Sequence, residues 1–360
     1  MPARKPIRVL VVGLGHMGMS HAQAYHDLDG FEIVGLVNRS LERDPGLPEC
    51  LAGYPRFDDY HEALAATAPE AVSINTWADT HADYAVAAME AGAHVFVEKP
   101  IAETVADAER VVKTARRTGR KLVVGYILRH HPSWVKLVEL ARELGSPKVM
   151  RMNLNQQSTG EAWTWHKNLM RSLSPIVDCG VHYVDVMCQI TRAKPVKVHG
   201  MGARLTDEVA PDMYNYGHLQ VFFDDGSVGW YEAGWGPMMS EVAFFVKDVV
   251  GPKGSVSIVM KQDGDAEVGS ADMDTHTRTS ALLVHSSAID ADNKLVTPDR
   301  TLSMADEPGH QALCEREQAF FRDAILNDTD LADHMDEAVQ SLAIVLAADR
   351  SIREARVVEL

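Results

Sequence analysis

Short apolar runs alternate with amphipathic stretches over the first part of the chain. Residues 7–12 form a nearly continuous apolar run that ends at Gly13, which is typical of a strand buried on both faces of a parallel sheet. Residues 17–28 have helical spacing, and the apolar run 31–37 completes a βαβ unit. The alternation continues with predicted helices over 59–67, 80–91 and 104–118 and predicted strands over 71–74, 94–97 and 121–124. This order of elements predicts a doubly wound parallel sheet.

The pattern changes beyond about residue 130. Alternating polar and apolar residues, separated by Asp-Gly and Gly-Pro turns, predict a mostly antiparallel sheet with helices on one side. Residues 357–360 can add an edge strand, whereas residues 262–300, rich in Asp, Ser, Thr and Ala, are expected to contain a long surface loop. The predicted strands cover 218–223, 227–232, 242–246 and 255–259, and the predicted helices cover 310–326 and 335–355.

This change of pattern divides the chain into two domains of an α/β protein. We expect a doubly wound parallel domain over residues 1–128 and an α/β domain with a large, mostly antiparallel open sheet over residues 129–360. The C-terminal helix can pack back on the first domain. With 360 residues, 46% apolar and 24% charged, the chain is long enough for two hydrophobic cores.

Composition excludes several classes of protein. A formal net charge of -16 would repel a phosphate backbone, so nucleic acid is not an expected partner. The four cysteines form no CxxC pair and no metal-ligand spacing, and neither they nor the histidines indicate a metal site. The apolar run after Arg4 and Lys5 is too short for a signal peptide, and we find no run long enough to span a membrane. We expect a cytoplasmic protein.

The loop after the first strand carries the pattern G-x-G-x-x-G. Gly13 permits a tight turn, Gly15 lets the backbone approach a pyrophosphate, and Gly18 permits close packing of the helix. The following helix N-terminus offers N–H groups and a positive dipole end to the diphosphate. The motif, which also includes His16 and Met17, therefore predicts a dinucleotide site, with an ordinary βα turn as the alternative.

The end of the second predicted strand indicates which dinucleotide binds. An acidic residue there would bind the ribose 2′-OH of NAD, but this chain has Asn38, Arg39 and Ser40. A guanidinium with two short polar side chains suits a 2′-phosphate. We therefore expect NADP or NAD, with NADP favoured, although Arg39 can equally stack on the adenine of either cofactor or point to solvent.

Further motifs follow the glycine loop in a fixed order: His21 three residues beyond it, Asn75-Thr76 with His81, Glu98-Lys99-Pro100, Gly125-Tyr126 with Arg129, Asp178 with His182, and Ala347-Ala348, Ser351 and Arg353 to Val358. In this order the chain resembles the Gfo/Idh/MocA oxidoreductases, which include glucose-fructose oxidoreductase, inositol dehydrogenase and the rhizopine catabolism protein. The resemblance covers nearly the whole length.

The resemblance implies a Rossmann domain followed by an α/β domain whose open sheet often forms an oligomer interface. The implied cofactor site adds Asn75, Thr76, Trp77, His81, Glu98 and Lys99 to the glycine loop. The chain departs from the family at Thr76-Trp77, where Thr-Pro is common, and at residues 171–175, which replace a glycine-rich stretch. We expect the second change to bear on the choice of substrate.

Oxidation of a secondary alcohol needs a base for the hydroxyl proton and a cation for the charge that develops on the oxygen. Lys99 ends a predicted parallel strand, at the edge where ligands bind in open α/β sheets, and Pro100 holds it extended. By resemblance, Lys99 belongs to the family's catalytic set, and its bond to Pro100 is often cis in that family. A surface lysine at a strand end is the alternative.

Asp178 and His182 lie four residues apart in a segment with helical spacing, so their side chains should share one helix face. A carboxylate beside an imidazole can fix its tautomer and raise its basicity. By resemblance these positions match the family's Asp and catalytic His, whereas a pair that only caps or solubilises the helix is the alternative. Asp185 is expected to be structural or to contact the imidazole.

Other residues are candidates for binding the substrate. Trp163, Trp165 and His166 form an aromatic cluster of the kind that stacks on sugar C–H faces, although buried tryptophans are also common in α/β cores. Tyr126 and Arg129 follow the last strand of the first domain, where Arg129 can meet the substrate or a cofactor phosphate.

These residues predict an NAD(P)-dependent dehydrogenase or reductase acting on a secondary alcohol or ketone carbon of a sugar, sugar derivative or cyclitol. An NAD-dependent glycosidase of the same family and a noncatalytic NAD(P)-sensing protein are the alternatives. Lys99 and His182 together favour an enzyme, because a sensor needs neither. We also expect a homo-oligomer, a dimer or tetramer, because the few helices of the second domain cannot cover both faces of its sheet.

Overall fold

The computed structural model describes residues 5–39, 46–240, 245–259, 279–304 and 307–360. Two compact units make up the chain. The first unit contains Met1–Ile127 and Gln311–Val339, and the second contains Leu128–His310 and Gln340–Leu360. Part of the predicted strand 242–246 and residues 262–278 of the predicted loop 262–300 therefore lie outside the described residues.

The described strands and helices follow the chain in a mixed order. The strands are β1 (Ile7–Val12), β2 (Phe31–Val37), β3 (Arg56–Phe57), β4 (Ala71–Ile74), β5 (His94–Glu98), β6 (Leu122–Gly125), β7 (Val149–Gln157), β8 (Pro195–Ala203), β9 (Tyr216–Phe223), β10 (Val228–Gly236), β11 (Lys247–Gly251), β12 (Gly254–Val259), β13 (Ala281–Ser286), β14 (Arg300–Ser303) and β15 (Val358–Glu359). The helices are α1 (His16–Asp27), α2 (Tyr60–Thr67), α3 (Ala78–Glu90), α4 (Val105–Thr118), α5 (Pro132–Glu143), α6 (Gly160–Leu169), α7 (Pro175–Asp178), α8 (Gly180–Thr191), α9 (His310–Leu326) and α10 (Ala332–Glu354), with 3₁₀ turns at Glu49–Leu51 and Ile127–His130.

The sheet of the first unit has six strands in the order β3-β2-β1-β4-β5-β6. Every pairing in it is parallel. The order reverses between β1 and β4, which is the point where ligands bind at the carboxyl ends of the strands in such sheets. The predicted doubly wound Rossmann sheet is confirmed. Five of its six strands agree with the predicted runs to within a residue or two, whereas the two-residue strand β3 was not predicted.

The core of the first unit lies between this sheet and its helices. Val9 and Val11 of β1 and Phe96 of β5 are fully buried. Phe321 of α9 packs against Phe96, with 6.2 Å between the ring centroids. Burial of such a side chain stabilises the fold by about 1.5–3 kcal/mol, so α9, which comes from the far end of the chain, is an integral part of this unit.

The sheet of the second unit has nine strands in the order β14-β13-β12-β11-β7-β10-β9-β8-β15. Its described pairings are antiparallel apart from β7 with β10, which run parallel. The helices α5, α7 and α8 pack on strands of this sheet, and Tyr183 of α8 stacks on Tyr231 of β10 with 4.8 Å between the ring centroids. The predicted α/β domain with a large, mostly antiparallel sheet is confirmed.

Three details of the second unit differ from the sequence predictions. The described strand β11 begins at Lys247, after the predicted strand 242–246. The predicted long loop over 262–300 contains the strand β13 and the first residue of β14, because their backbones pair with antiparallel neighbours that the local composition does not reveal. The single helix expected around Asp178 is divided into α7 and α8 at Cys179. The predicted edge strand is present as β15, which pairs with β8.

In the part of the chain that the structure describes, no helix combines the length and the apolar character needed to cross a membrane.

Candidate active site

The loop between β1 and α1 has two glycines that the packing requires. Gly13 has φ of +85°, and a Cβ added to it would lie 2.7 Å from the carbonyl oxygen of Asn75. A Cβ on Gly18 would lie 1.8 Å from the carbonyl oxygen of Gly13, which no shift of a side chain can relieve. These two glycines therefore allow β1, α1 and the turn after β4 to approach one another closely.

The middle glycine of the motif differs from the other two. A Cβ on Gly15 would have no protein atom within 4 Å, and its φ of -72° suits any residue. Neither packing nor backbone strain requires glycine there, so the space beside Gly15 is available to a bound group. The residues present thus fit a dinucleotide whose pyrophosphate approaches this backbone.

The start of α1 has the features of an anion-binding helix end. Gly15 is the N-cap and supplies no side-chain hydrogen bond to the first amides, and the first turn contains no acidic residue. His16 at the first helical position is exposed, and Met17 is half-buried. The amide groups and the positive end of the helix dipole are therefore suited to a diphosphate.

The residues after β2 occupy the predicted ribose site. Asn38 is half-buried, and its backbone N–H donates to the carbonyl of Phe57 at 3.0 Å. Arg39 is exposed, so its guanidinium lies at the surface of the unit. Ser40 lies outside the described residues.

His81 connects the turn after β4 to the turn after β5. Its Nδ1 lies 2.7 Å from the carbonyl oxygen of Pro100, and its Nε2 lies 2.9 Å from that of Thr76. Burial lowers the pKa of His81 despite these carbonyls, so the neutral ring donates to one of them. Trp77, the N-cap of α3, is 48% exposed beside these turns.

Lys99 is half-buried at the carboxyl end of β5, and its bond to Pro100 is cis, as the resemblance implied. Its backbone N–H donates to Oε2 of Glu98 at 3.0 Å. The other carboxylate oxygen of Glu98 lies 2.8 Å from Nε2 of His21. The Glu98 side chain is thus engaged inside the unit, and Lys99 is the residue of this motif that is partly exposed at the strand end.

In the second unit, Asp178 and His182 lie at the junction of α7 and α8. Ser174 caps α7, and the His182 backbone N–H donates to the carbonyl of Cys179 at 3.2 Å. Asp178 is buried, whereas His182 is partly exposed. The Cys179 thiol lies 3.5 Å from the Asp178 carboxylate and 3.5 Å from Oε1 of Gln156.

Gln156 connects the aromatic residues of this unit to Cys179. Trp235 of β10 donates from Nε1 to Oε1 of Gln156 at 2.6 Å, and His166 stacks on Trp235 with 4.5 Å between nearly parallel rings. The Nδ1 atom of His166 lies 2.9 Å from the Ser158 hydroxyl. Contacts through Cys179, Gln156 and Trp235 therefore connect Asp178 to His166. Both were predicted site residues.

The two remaining tryptophans of the prediction have different surroundings. Trp163 is buried, and its Nε1 donates to Glu208 at 3.2 Å. Trp165 is 47% exposed beside His166. Of these two rings, Trp165 is the one whose face is open to a ligand.

Tyr126 and Arg129 are less accessible than the sequence implied. Tyr126 in the first unit is buried, with its ring near that of His334. In the second unit, Arg129 forms a bidentate ion pair with Asp185, with 2.9 Å between Nε and Oδ2, and Gln189 donates to the same carboxylate. Asp185 is thus engaged by Arg129, and the guanidinium is satisfied inside the protein.

Sequence reasoning missed Gln156, Trp235 and Cys179. Gln156 and Trp235 lie opposite each other in the register of the parallel pair β7 and β10, so both reach the carboxyl edge of these strands. No local pattern marks them, because parallel pairing between strands so far apart in the chain is a property of the tertiary structure.

Comparison with known proteins gives two family matches. The description "Oxidoreductase family, NAD-binding Rossmann fold" fits residues 7–126, and "GFO/IDH/MocA C-terminal domain" fits residues 136–257. A 4-carboxy-2-hydroxymuconate-6-semialdehyde dehydrogenase from a Sphingobium species is 32% identical over 44% of this chain and 54% of its own length. The scyllo-inositol 2-dehydrogenase (NAD(+)) of Bacillus subtilis is 24% identical over 98% of this chain and 96% of its own length.

Among solved structures, the myo-inositol 2-dehydrogenase of Lactobacillus plantarum matches with a TM-score of 0.77 and 17% identity, covering 99% of this chain and all of that one. At this identity the likeness shows the fold alone. For several of the curated relatives, the matched segment spans only about half of the relative's length.

We predict that Gly15→Ala affects cofactor binding, whereas Gly18→Ala affects the stability of the protein. Gly15→Ala should leave the unfolding temperature of the apoprotein unchanged, because its Cβ meets no protein atom. It should weaken NADP and NAD binding by about tenfold or more, equivalent to losing one charge-assisted hydrogen bond. Gly18→Ala should destabilise the apoprotein by at least about 1–3 kcal/mol through overpacking. Thermal unfolding and fluorescence titration measure the two effects, and wild-type cofactor affinity in Gly15→Ala would contradict the assignment.

Proposed function

Because the chain belongs to the Gfo/Idh/MocA oxidoreductase family, we propose that it is an NAD(P)-dependent dehydrogenase or reductase acting on a secondary alcohol or ketone carbon of a sugar, sugar derivative or cyclitol. The observation that carries this proposal is the space beside Gly15 at the sheet edge that also carries Lys99. The names of two relatives support the substrate class, since one is a scyllo-inositol 2-dehydrogenase and another a UDP-N-acetylglucosamine 3-dehydrogenase.

The proposed reaction assigns a task to each of three side chains. A bound nicotinamide supplies the hydride acceptor or donor. His182 accepts the hydroxyl proton of the alcohol during oxidation, and the Lys99 ammonium stabilises the negative charge that develops on the oxygen. Asp178 orients the imidazole or a neighbouring substrate hydroxyl. The half-buried state of Lys99 and His182 supports these tasks, because each side chain is partly accessible.

The second unit offers a surface for a polyol. Trp165 provides an open ring face for sugar C–H groups, and Gln156, which accepts from Trp235, contacts Cys179 next to Asp178. Trp163 contributes to this surface through its packing. Tyr126 and Arg129 act indirectly, because one is buried and the other is paired with Asp185.

Two other functions would give different products. An NAD-dependent glycosidase would release an aglycone without net reduction of the cofactor, and a sensor would bind cofactor without turnover. A panel of polyols, inositols and sugars, assayed by the absorbance of the reduced nicotinamide with NAD and NADP in parallel, separates all three. Net reduction of the cofactor with at least one alcohol supports the dehydrogenase. Release of an aglycone without net reduction would indicate the glycosidase instead, and cofactor binding without turnover would indicate the sensor.

We predict that His182→Ala lowers kcat by about 10² to 10⁴, the usual effect of removing a positioned general base. Lys99→Ala should have a similar effect on kcat, and His182→Ala should leave cofactor binding unchanged, because the glycine loop stays intact. If the two side chains act in the same step, the double variant should lose less than the product of the single losses. Steady-state kinetics and cofactor titration give these values. A His182→Ala enzyme within about threefold of the wild-type rate would leave Lys99 as the base and His182 as a binding residue.

We propose NADP as the preferred cofactor and predict that Arg39→Ala weakens NADP binding far more than NAD binding. A guanidinium that pairs with the 2′-phosphate contributes roughly 1.5 to 3 kcal/mol, or about 10- to 100-fold in affinity. The relative from Bacillus subtilis carries NAD(+) in its name, so the comparison alone does not favour NADP. Calorimetric titration with both cofactors tests the preference. Equal losses for both, or a wild-type preference for NAD, would overturn it.

We also propose that the protein is a homo-oligomer assembled through the second sheet. Val250, Val149 and Phe222 lie in one row across β11, β7 and β9 on the same face, where the first two are exposed. We predict that Val149→Asp lowers the assembly mass toward 39.6 kDa, whereas Val135→Asp, an equally exposed position on α5, does not. Light scattering at micromolar concentration measures this, and a monomeric wild type would contradict the proposal.

A further inference from the structure

Four buried polar side chains of the first unit form a continuous chain of hydrogen bonds that ends at Lys99. The Tyr25 hydroxyl donates to Oε1 of Gln318, and Nε2 of Gln318 lies 2.9 Å from Nδ1 of His21. Nε2 of His21 lies 2.8 Å from Oε1 of Glu98, whose Oε2 accepts from the Lys99 backbone N–H at 3.0 Å. Gln318 and His21 are both fully buried.

The chemistry of these groups sets the direction of the chain. Burial raises the pKa of Tyr25 well above its ordinary value, so its hydroxyl keeps the proton that it donates to Gln318. With its oxygen accepting from Tyr25, Gln318 presents its NH₂ group to His21, and an NH₂ group only donates. Nδ1 of His21 is therefore the acceptor, which places the ring proton on Nε2, where it donates to Glu98.

A second buried carboxyl lies beside this chain without competing for its charge. Burial, reinforced by the nearby Glu98, raises the pKa of Glu317 well above its ordinary value. Burial thus favours the protonated form of Glu317, whereas the hydrogen bonds from His21 and from the Lys99 backbone favour the ionised form of Glu98. The hydrogen bonds that Glu98 accepts from His21 and from the Lys99 backbone are consequently charge-assisted, which makes them the stronger kind.

The same residues also resemble a metal site, but the geometry favours the hydrogen bonds. His21, Cys314 and Glu317 bring three metal-ligating atoms within 4.8 Å of one another. Both ring nitrogens of His21 are already engaged, by Gln318 and by Glu98. Burial also raises the pKa of the Cys314 thiol, and it is the thiolate that binds metals. A cation would have to displace one hydrogen bond of His21 and the protons of the Cys314 thiol and the Glu317 carboxyl group.

We propose that Gln318 and His21 are positioning residues for the reaction. Gln318 fixes His21 in its Nε2–H tautomer, His21 holds the Glu98 carboxylate in place, and Glu98 fixes the backbone at Lys99, from which the lysine side chain projects. This inference rests on the role that the proposed function gives to Lys99. It assigns a task in catalysis to α9, a helix whose sequence carries none of the site motifs.

The decisive comparison uses the same substitution at two glutamines of α9. In Gln318→Glu an ionised carboxylate accepts at Nδ1 of His21 where the amide donated, so the ring either moves its proton to Nδ1 and stops donating to Glu98, or becomes an imidazolium that neutralises the charge of Glu98. In both cases the neutral Nε2–H tautomer is lost. Gln311→Glu is the matched control, because Gln311 also bonds from α9 to α1, to the Ser20 carbonyl at 3.1 Å, but does not touch His21. We expect Gln318→Glu to lower kcat roughly 10- to 100-fold, the scale of a misplaced reacting group. The KM for the cofactor should stay within about twofold of wild type in both Gln318→Glu and Gln311→Glu. This is expected when Gln318→Glu disturbs only the positioning of the reacting group.

A second pair of variants tests the His21 proton itself. His21→Gln places an amide N–H near the position of Nε2 and should retain the donor to Glu98, whereas the shorter side chain of His21→Asn should not reach it. We expect His21→Gln to keep much of the kcat that His21→Asn loses, at similar unfolding temperatures. A merely structural role would lower kcat and the unfolding temperature of both variants together.

Two further measurements separate this proposal from the proposed function. With the alcohol that the panel identifies, Gln318→Glu should cause no additional loss in the Lys99→Ala background, because its effect passes through Lys99. In ¹⁵N-histidine-labelled protein, the resonance that disappears in His21→Gln should be that of an Nε2–H ring. The positioning role would be overturned by a wild-type kcat in Gln318→Glu. It would also be overturned if Gln318→Glu lowered kcat as much in the Lys99→Ala background as it does alone, or if His21 carried its proton on Nδ1. If Lys99→Ala itself turned over at the wild-type rate, the proposed function of Lys99 would fail, and the positioning role with it.

Discussion

Parallel pairing of strands determines where the chemistry of this protein lies. In the first unit, the residues after β1, β4 and β5 are Gly13, Asn75 and Lys99, and the parallel register of these strands gathers them at one edge of the sheet. The same edge lies at the reversal of strand order, where the crossover connections leave room for a ligand. The glycine loop and the turn at Lys99 are therefore neighbours in space, although they are far apart in the chain.

The close approach of elements at this edge explains the small residues there. Gly18 has no room for a Cβ because the Gly13 carbonyl occupies that space, and Gly13 has none because of Asn75. A Cβ on Gly15 would meet no protein atom. Packing therefore requires glycine at positions 13 and 18, whereas at position 15 only the binding of a ligand would require it. A motif that reads as one pattern thus contains two kinds of glycine.

Buried polar groups hold the same edge rigid. His81 is buried between the carbonyls of Thr76 and Pro100 and donates to one of them, and Glu98 links His21 to the backbone of Lys99. Burial of Glu98 and Glu317 costs stability, since a protein interior disfavours carboxyl groups that are ionised or that lack hydrogen bonds. Such groups are retained where function needs a fixed geometry, and the hydrogen-bond chain from Tyr25 to Lys99 has this character.

The sequence by itself determined the first sheet, the glycine loop and the position of Lys99, because apolar runs and turn glycines are local signals that a parallel sheet imposes on each strand separately. It also located α9 and the edge strand β15. Only the tertiary structure decided that β7 and β10 pair in parallel, that Gln156 contacts both Trp235 and Cys179, and that Gln318 reaches His21. These contacts join residues far apart in the chain, and no local periodicity specifies which distant partner a buried polar side chain will meet.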